Sequence, residues 1–213
     1  MPLKVYEKEK IIDECFNIFA ENGYTCTSTA MLAKAAGISK ALIFHHFKSK
    51  KNLYIEILER CFDKMASEIS HEPSKVYKDY FEAKEQSGIH RVEYLKKNPK
   101  VNKLLFEAFY STPSELKNEI KKFRINIEDK YKAHNRTANK QMKKLFSEIS
   151  LKDNVDPKEA YELIDIVSEY FRMKLASELT NDEKLLDDLY WDDFFDKKSR
   201  YLNMIRYGIE KKE

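Results

Sequence analysis

Turns are the scarce element of this sequence. Only 4 glycines and 5 prolines serve 213 residues. A β-rich chain needs a turn every ~8–12 residues, and tight turns need glycine, proline or asparagine at special backbone angles. With so few, an all-α fold is the expectation. Apolar residues make up 42%, enough for a real core, and charged residues 35%. The length suits one large domain, or a small domain on a larger one.

The apolar periodicity near the N-terminus divides into short pieces. Ile11, Ile12, Cys15, Phe16 and Phe19 recur at helical spacing and predict a helix over about Val5–Asn22, stopped by Gly23. A second, short helix is expected over Ala30–Ala36, capped by Ser28 or Thr29. Gly37 follows, free to take a positive φ. A third helix runs from Ser39 or Lys40 to Phe47, and Ser49 caps a fourth from Lys50 to about Ser70. Helix, glycine turn and short helix make a helix-turn-helix. Ile38 plugs the turn, Ile43 and Phe47 point inward, and Lys40, Ala41, Phe44 and His45 point outward.

Charge is segregated along this region. From Asn22 to Ile55 there is no Asp or Glu, while Lys34, Lys40, Lys48, Lys50 and Lys51 all fall there. The preceding helix carries Glu7, Glu9, Asp13, Glu14 and Glu21. The net charge of +3 says little about partners. The local asymmetry says more: one face is turned toward phosphates.

The segment Ile11–Leu58 resembles the DNA-binding domain of TetR-family transcriptional regulators. The resemblance rests on IIDECFNIFAENGY and STAMLAKAAGISKALIFHHFKSKKNL, with Ala33, Ala36-Gly37-Ile38-Ser39, Phe44, His46-Phe47, Lys50 and Leu53 in order. Many family members have Gly-Thr-Leu-Tyr where this chain has Ala41-Leu42-Ile43-Phe44. The hydroxyls that often hold phosphates there are missing, so anchoring shifts to lysines and backbone amides. On this basis Ser28, Thr29, Lys40, Ala41, Phe44, His45, His46, Lys48 and Lys50 are the expected DNA contacts. Lys40 and His45 are placed at base edges, Lys48 and Lys50 at the backbone.

The resemblance divides the chain into a DNA-binding domain (1–50), a connecting helix (51–72) and a helical effector-binding and dimerisation domain (73–213). Helices are expected at about 74–86, 88–97, 99–111, 114–148, 157–180 and 184–211. Pro99, Pro113 and Pro157 suit first turns, and Asp156 suits an N-cap. The last two helices are expected to form a homodimer interface through Leu163, Ile164, Val167, Phe171, Leu186, Tyr190, Phe194, Leu202 and Ile205. Candidate effector-lining residues are Tyr77, Phe81, Tyr94, Phe106, Phe109, Tyr110, Phe123, Ile127, Tyr170 and Met173. Glu107 faces either a cationic ligand or solvent. The implied protein is a repressor released from palindromic double-stranded DNA by an unknown small molecule. The alternative is a helix-turn-helix module for protein interaction or activation.

Other chemistries find no support in the residues. His45 and His46 are adjacent, about 100° apart on a helix, whereas a helical metal pair sits at i, i+4. The acids of Asp187–Asp196 open the final helix, where negative charge meets the dipole. There is no GxSxG, phosphate-binding glycine loop or HExxH. No enzyme activity, cofactor or metal is expected. Cys15, Cys26 and Cys61 form no CxxC pair and read as reduced thiols of a cytoplasmic protein. No apolar run is long enough to span a bilayer, and the N-terminus lacks the apolar segment of a signal peptide.

Overall fold

Helices follow one another almost without interruption in the structure, a computed structural model that describes residues 3–69, 77–178, 184 and 187–211. They are α1 (Leu3–Cys26), α2 (Thr29–Ala35), α3 (Lys40–Phe47), α4 (Lys50–Ile69), α5 (Tyr80–Lys97), α6 (Pro99–Tyr110), α7 (Lys117–Lys130), α8 (Lys132–Ser147), α9 (Pro157–Glu178) and α10 (Asp188–Ile209). A short 3-10 turn, Ser114–Leu116, precedes α7. Among the described residues the only β-type pairing is an isolated bridge between Leu151 and Glu210. The all-α expectation holds. The expected interface residue Leu186 lies outside the described residues.

The chain forms two compact units, 1–68 with 98–128, and 69–97 with 129–213. In the first, α1, α2, α3 and α4 enclose Ile11, Ile12, Cys15, Phe19, Leu32, Ile43, Phe47, Leu53 and Ile57, all buried. Phe19, Tyr24 and Tyr54 form an aromatic knot, with Tyr54 edge-on to each of the other two at 5.0 Å. α6 packs on α1 and adds Leu104, Leu105 and Ala108 to this core. In the second unit, α5, α9 and α10 bury Tyr80, Phe81, Ala160, Ile164, Leu202 and Ile205, and Phe146 of α8 packs against them.

Local signals explain most boundaries. The Ser28, Ser39 and Ser49 hydroxyls accept from the amides of Met31, Leu42 and Asn52, three residues on. Asp156 accepts from Lys158 and Glu159 ahead of Pro157, and Asp187 accepts from Tyr190. Several expected boundaries differ: α5 begins at Tyr80 and not near 74, and the last helix begins at Asp188 and not near 184. α5 runs without a break through Gly88, where the sequence suggested two helices. That glycine serves a close approach: a Cβ there would stand 3.1 Å from Lys198 Nζ. The expected 114–148 helix is split by the 3-10 turn and by Tyr131.

Gly37 takes φ 65° with open space around it. Gly37→Ala therefore adds only backbone strain, ~1–2 kcal/mol. A denaturant titration should show a lower midpoint with an unchanged slope.

Candidate nucleic-acid interface

The end of α2 decides how α3 is presented. The Gly37 amide donates to Lys34 O at 3.2 Å and the Ile38 amide to Ala33 O at 3.0 Å. This double closure is a Schellman motif, and it needs the left-handed residue that Gly37 supplies. Ser39 then starts α3 in a fresh direction. Ile43 and Phe47 are buried, while Lys40, Ala41, Phe44, His45 and Lys48 are exposed. Ser28 is also exposed, and Thr29 and His46 are half-buried. The face offers cations, imidazoles and one large apolar ring, with no carboxylate from Asn22 to Ile55. The rings of His45 and His46 meet edge-on at 5.5 Å.

Lys50 behaves differently from the other lysines. Its ammonium donates to Tyr24 O and Thr27 O, both at 2.9 Å, and lies 4.0 Å over the Tyr24 ring. The sequence placed Lys50 at the DNA backbone. The structure spends two of its three N–H bonds on the α1–α2 corner, because those carbonyls point at the start of α4. Lys48 extends from the end of α3 with φ 66°, and its side chain is exposed.

The same corner is held from the other side by Glu107 of α6. Its carboxylate accepts from the Tyr24 amide at 2.9 and 3.1 Å and from the Tyr54 hydroxyl at 2.7 Å. Gly23 (φ 71°) makes room: a Cβ there would meet Glu107 Oε1 at 2.9 Å. Burial pushes the Tyr24 phenol up to about 12. Burial, then the Glu107 carboxylate, pushes Tyr54 up further, so it stays a proton donor. The carboxylate offered above to a ligand or to solvent thus faces the protein's own amide and phenol.

The other expected effector residues divide between the two units. Phe106, Phe109, Tyr110, Phe123 and Ile127 belong to the first. There Phe123 is buried, Phe109 stacks on it at 5.9 Å, and Tyr110 is exposed. Tyr77, Phe81, Tyr94, Tyr170 and Met173 belong to the second. Phe81 and Tyr94 are buried, and Tyr170 and Met173 are exposed. None of them lines the 230 Å³ cavity of the second unit, which opens among α5, α9 and α10 beside Lys84, Gly88, Arg172 and Lys198. A wider 630 Å³ depression there carries Arg206, already paired at 3.0 Å with both Asp79 and Glu210.

Of the expected interface residues, Ile164, Phe171, Phe194, Leu202 and Ile205 lie in the protomer's own core, with Val167 and Tyr190 half-buried and Leu163 exposed. The exposed apolar stripe on α9 is instead Leu163, Ile166, Tyr170 and Met173. On α10 it is Leu189, Met204 and Tyr207. Sequence periodicity identified the apolar stripes but not which of them the protomer itself covers.

Known proteins match this geometry. The family described as bacterial regulatory proteins, tetR family, matches residues 11–57. The biofilm operon icaADBC HTH-type negative transcriptional regulator IcaR of Staphylococcus aureus (strain Newman) is 43% identical over 56 residues. That segment is 26% of this chain and 30% of IcaR, so the curated relatives are matched over less than a third of their length. The fold likeness extends further. MexZ, a key repressor responsible for antibiotic resistance in Pseudomonas aeruginosa, superposes with a TM-score of 0.63 at 18% identity, over 94% of this chain and 95% of MexZ. The regulator FadR from Bacillus subtilis, in complex with stearoyl-CoA, gives 0.57 at 20% identity, over 95% and 100%. Residues 11–57 thus match the DNA-binding segment of the tetR family of bacterial regulatory proteins, and the whole chain shares the helical fold of MexZ and FadR.

Replacing Lys50 and Lys48 by methionine should separate their roles. Lys50→Met loses two charged hydrogen bonds and a cation–π contact, lowering stability by about 2–3 kcal/mol. Lys48→Met should change stability by less than ~0.5 kcal/mol. Equal thermal denaturation midpoints for the two would refute the inward assignment of Lys50.

Proposed function

We propose that the chain represses transcription as a homodimer bound to an inverted-repeat operator, and that a small molecule releases it. The observation that carries this reading is the exposed face of α3. Lys40, Ala41, Phe44 and His45 project from a helix that the Gly37 turn and the Ser39 cap hold at a fixed angle. A recognition helix reads bases through its N-terminal residues in the major groove. Lys40 donates to guanine N7 and O6, and Phe44 and Ala41 meet thymine methyls. Lys34 and Lys48 neutralise flanking phosphates, and Ser28 and Thr29 at the start of α2 supply a hydroxyl and an amide.

The IcaR relative is a negative regulator and MexZ a repressor, and both support the sign of regulation. The FadR complex with stearoyl-CoA supports a small-molecule effector in the helical part, residues 73–213. Dimerisation joins the exposed stripes of α9 and α10 from two protomers. Two recognition helices then fall about one DNA turn, ~34 Å, apart. No helix among the described residues is long and apolar enough to cross a membrane, which accords with a regulator acting at DNA in the cytoplasm.

Four measurements test this reading. Duplexes selected from random DNA should contain an inverted repeat. Their affinity should fall with salt at a log–log slope of about −5, if a dimer neutralises ~6 phosphates at ~0.9 each. A flat salt response would instead favour a protein-interaction module.

Lys40→Ala should cost ~1–3 kcal/mol on the selected duplex and little on a scrambled one. An equal loss on both would make Lys40 a phosphate contact. For the dimer, Tyr170→Glu combined with Met204→Glu should give a monomer in sedimentation while the circular dichroism of the fold is kept. An unchanged dimer would place the interface elsewhere.

A further inference from the structure

Within 69–97 and 129–213, α10 buries a stripe of Trp191, Phe194, Lys198, Leu202, Ile205 and Ile209. One member of that stripe is a lysine. Burying an ammonium costs free energy unless it is paired, and evolution usually removes it. Lys198 is 7% exposed. Its Nζ donates to Lys84 O at 2.6 Å and reaches Glu85 O at 3.4 Å. Both are main-chain carbonyls of α5, so neither neutralises the charge. The nearby acid is Glu85, whose carboxylate also accepts from the Ser199 hydroxyl at 2.7 Å and whose charge offsets part of the burial cost. Burial pulls the Lys198 ammonium down to about 8.

This ammonium sits in the wall of the 230 Å³ cavity. The wall also carries Lys84, Arg91 and Arg172, against Phe171 and Phe195, and it includes no Asp or Glu. Lys84 and Arg172 have carboxylates behind them: Asp165 lies 3.8 and 4.0 Å away, and Glu169 pairs with Arg172. Both acids are about half exposed on α9 and are not among the residues that line the cavity. Gly88 completes the wall at a cost. A helix-interior glycine loses ~1 kcal/mol against alanine, and here its missing Cβ leaves room 3.1 Å from Lys198 Nζ and 3.4 Å from Phe195.

We infer that this cavity is the effector site and that its occupant is a small organic anion, one carboxylate or phosphate on a compact apolar body. The inference rests on the reading of this protein as an effector-responsive regulator. Guanidinium groups hold such anions through paired hydrogen bonds, ammonium groups hold them as point charges, and the aromatic rings take the apolar body. At 230 Å³ the cavity is smaller than the ~300–1,000 Å³ of drug-sized sites, and a benzoate-like anion suits it.

The test titrates the full chain by calorimetry with four probes of one shape: benzoate, phenylphosphate, benzamide and benzylamine. At least one anion should bind, with benzamide at least tenfold weaker and benzylamine undetectable. The better of the two anions identifies the head group. Lys198→Met should weaken the anion at least tenfold. Because that residue is buried, the wall variants Arg172→Gln and Gly88→Ala are tested beside it, each with its thermal midpoint. Both should weaken the anion without abolishing folding. Equal binding of benzamide, no binding of either anion, or anion binding indifferent to all three variants would overturn the inference.

Release of operator DNA is read separately. Anion binding that depends on Lys198 but leaves DNA bound supports the anion site and removes ligand release through it. A neutral compound that releases DNA independently of Lys198 keeps the ligand-released repressor and overturns the anion site.

Discussion

A single carboxylate fixes the corner on which the DNA-facing helices are built. Glu107 bonds the Tyr24 amide and the Tyr54 hydroxyl, two donors that the aromatic knot would otherwise leave buried and unsatisfied. A buried donor without its partner costs ~1–3 kcal/mol, and hydrogen bonds to charged groups contribute ~1.5–3 kcal/mol. A side chain at residue 23 would strain the φ of 71° and displace the carboxylate, which a Cβ would meet at 2.9 Å. Gly23, Tyr54 and Glu107 therefore depend on one another across 83 residues of chain. Lys50 then ties the carbonyls of the same corner to the start of α4. With the corner held from two sides, Ser28 and the Gly37 turn need only set local angles for α3 to point outward.

Ion pairs in the first unit do a different task. Arg60 pairs with Glu9, Lys8 with Glu56 at 2.7 Å, Lys100 with Glu21 at 3.7 Å, and Lys51 with Glu119 at 3.5 Å. Pairs this exposed contribute ~0–1 kcal/mol each and do not hold the fold. Two of them set α1 acids, Glu9 and Glu21, against cations of α4 and α6. The stretch from Asn22 to Ile55 carries five lysines and no acid although the net charge of the chain is only +3. Net charge is a poor guide wherever sorting of this kind occurs.

What was legible in the sequence was local. Caps at Ser28, Ser39, Ser49 and Asp156, prolines at first turns and the Gly37 turn all act within a few residues, and the sequence displays them directly. What was illegible depended on a partner distant in sequence. Gly88 looks like a break until Lys198 of α10 is placed against it. Glu107 looks turned to a cationic ligand or to solvent until the Tyr24 amide arrives, 83 residues away. Ile164, Phe171, Phe194, Leu202 and Ile205 share apolar periodicity with Leu163 and Met204, and only the packing of α5 against α9 and α10 separates core from exposed face. One distant signal was in plain view. A lysine inside an otherwise apolar helical stripe at 191, 194, 198, 202, 205 and 209 breaks the pattern, and such a break marks either a buried partner or a functional site.

The proposed effector response needs little energy, and chain order suggests how it is delivered. α5 carries Lys84, Gly88 and Arg91 of the cavity wall and ends at Lys97. Asn98 alone separates it from α6, which carries Glu107. Allosteric coupling is typically ~1–3 kcal/mol, about the contribution of one charged hydrogen bond. A response of that size need not unfold or reorder the DNA-facing helices. Reciprocity follows from linkage: under the proposed response, DNA must lower the affinity for the anion by the same factor that the anion lowers the affinity for DNA.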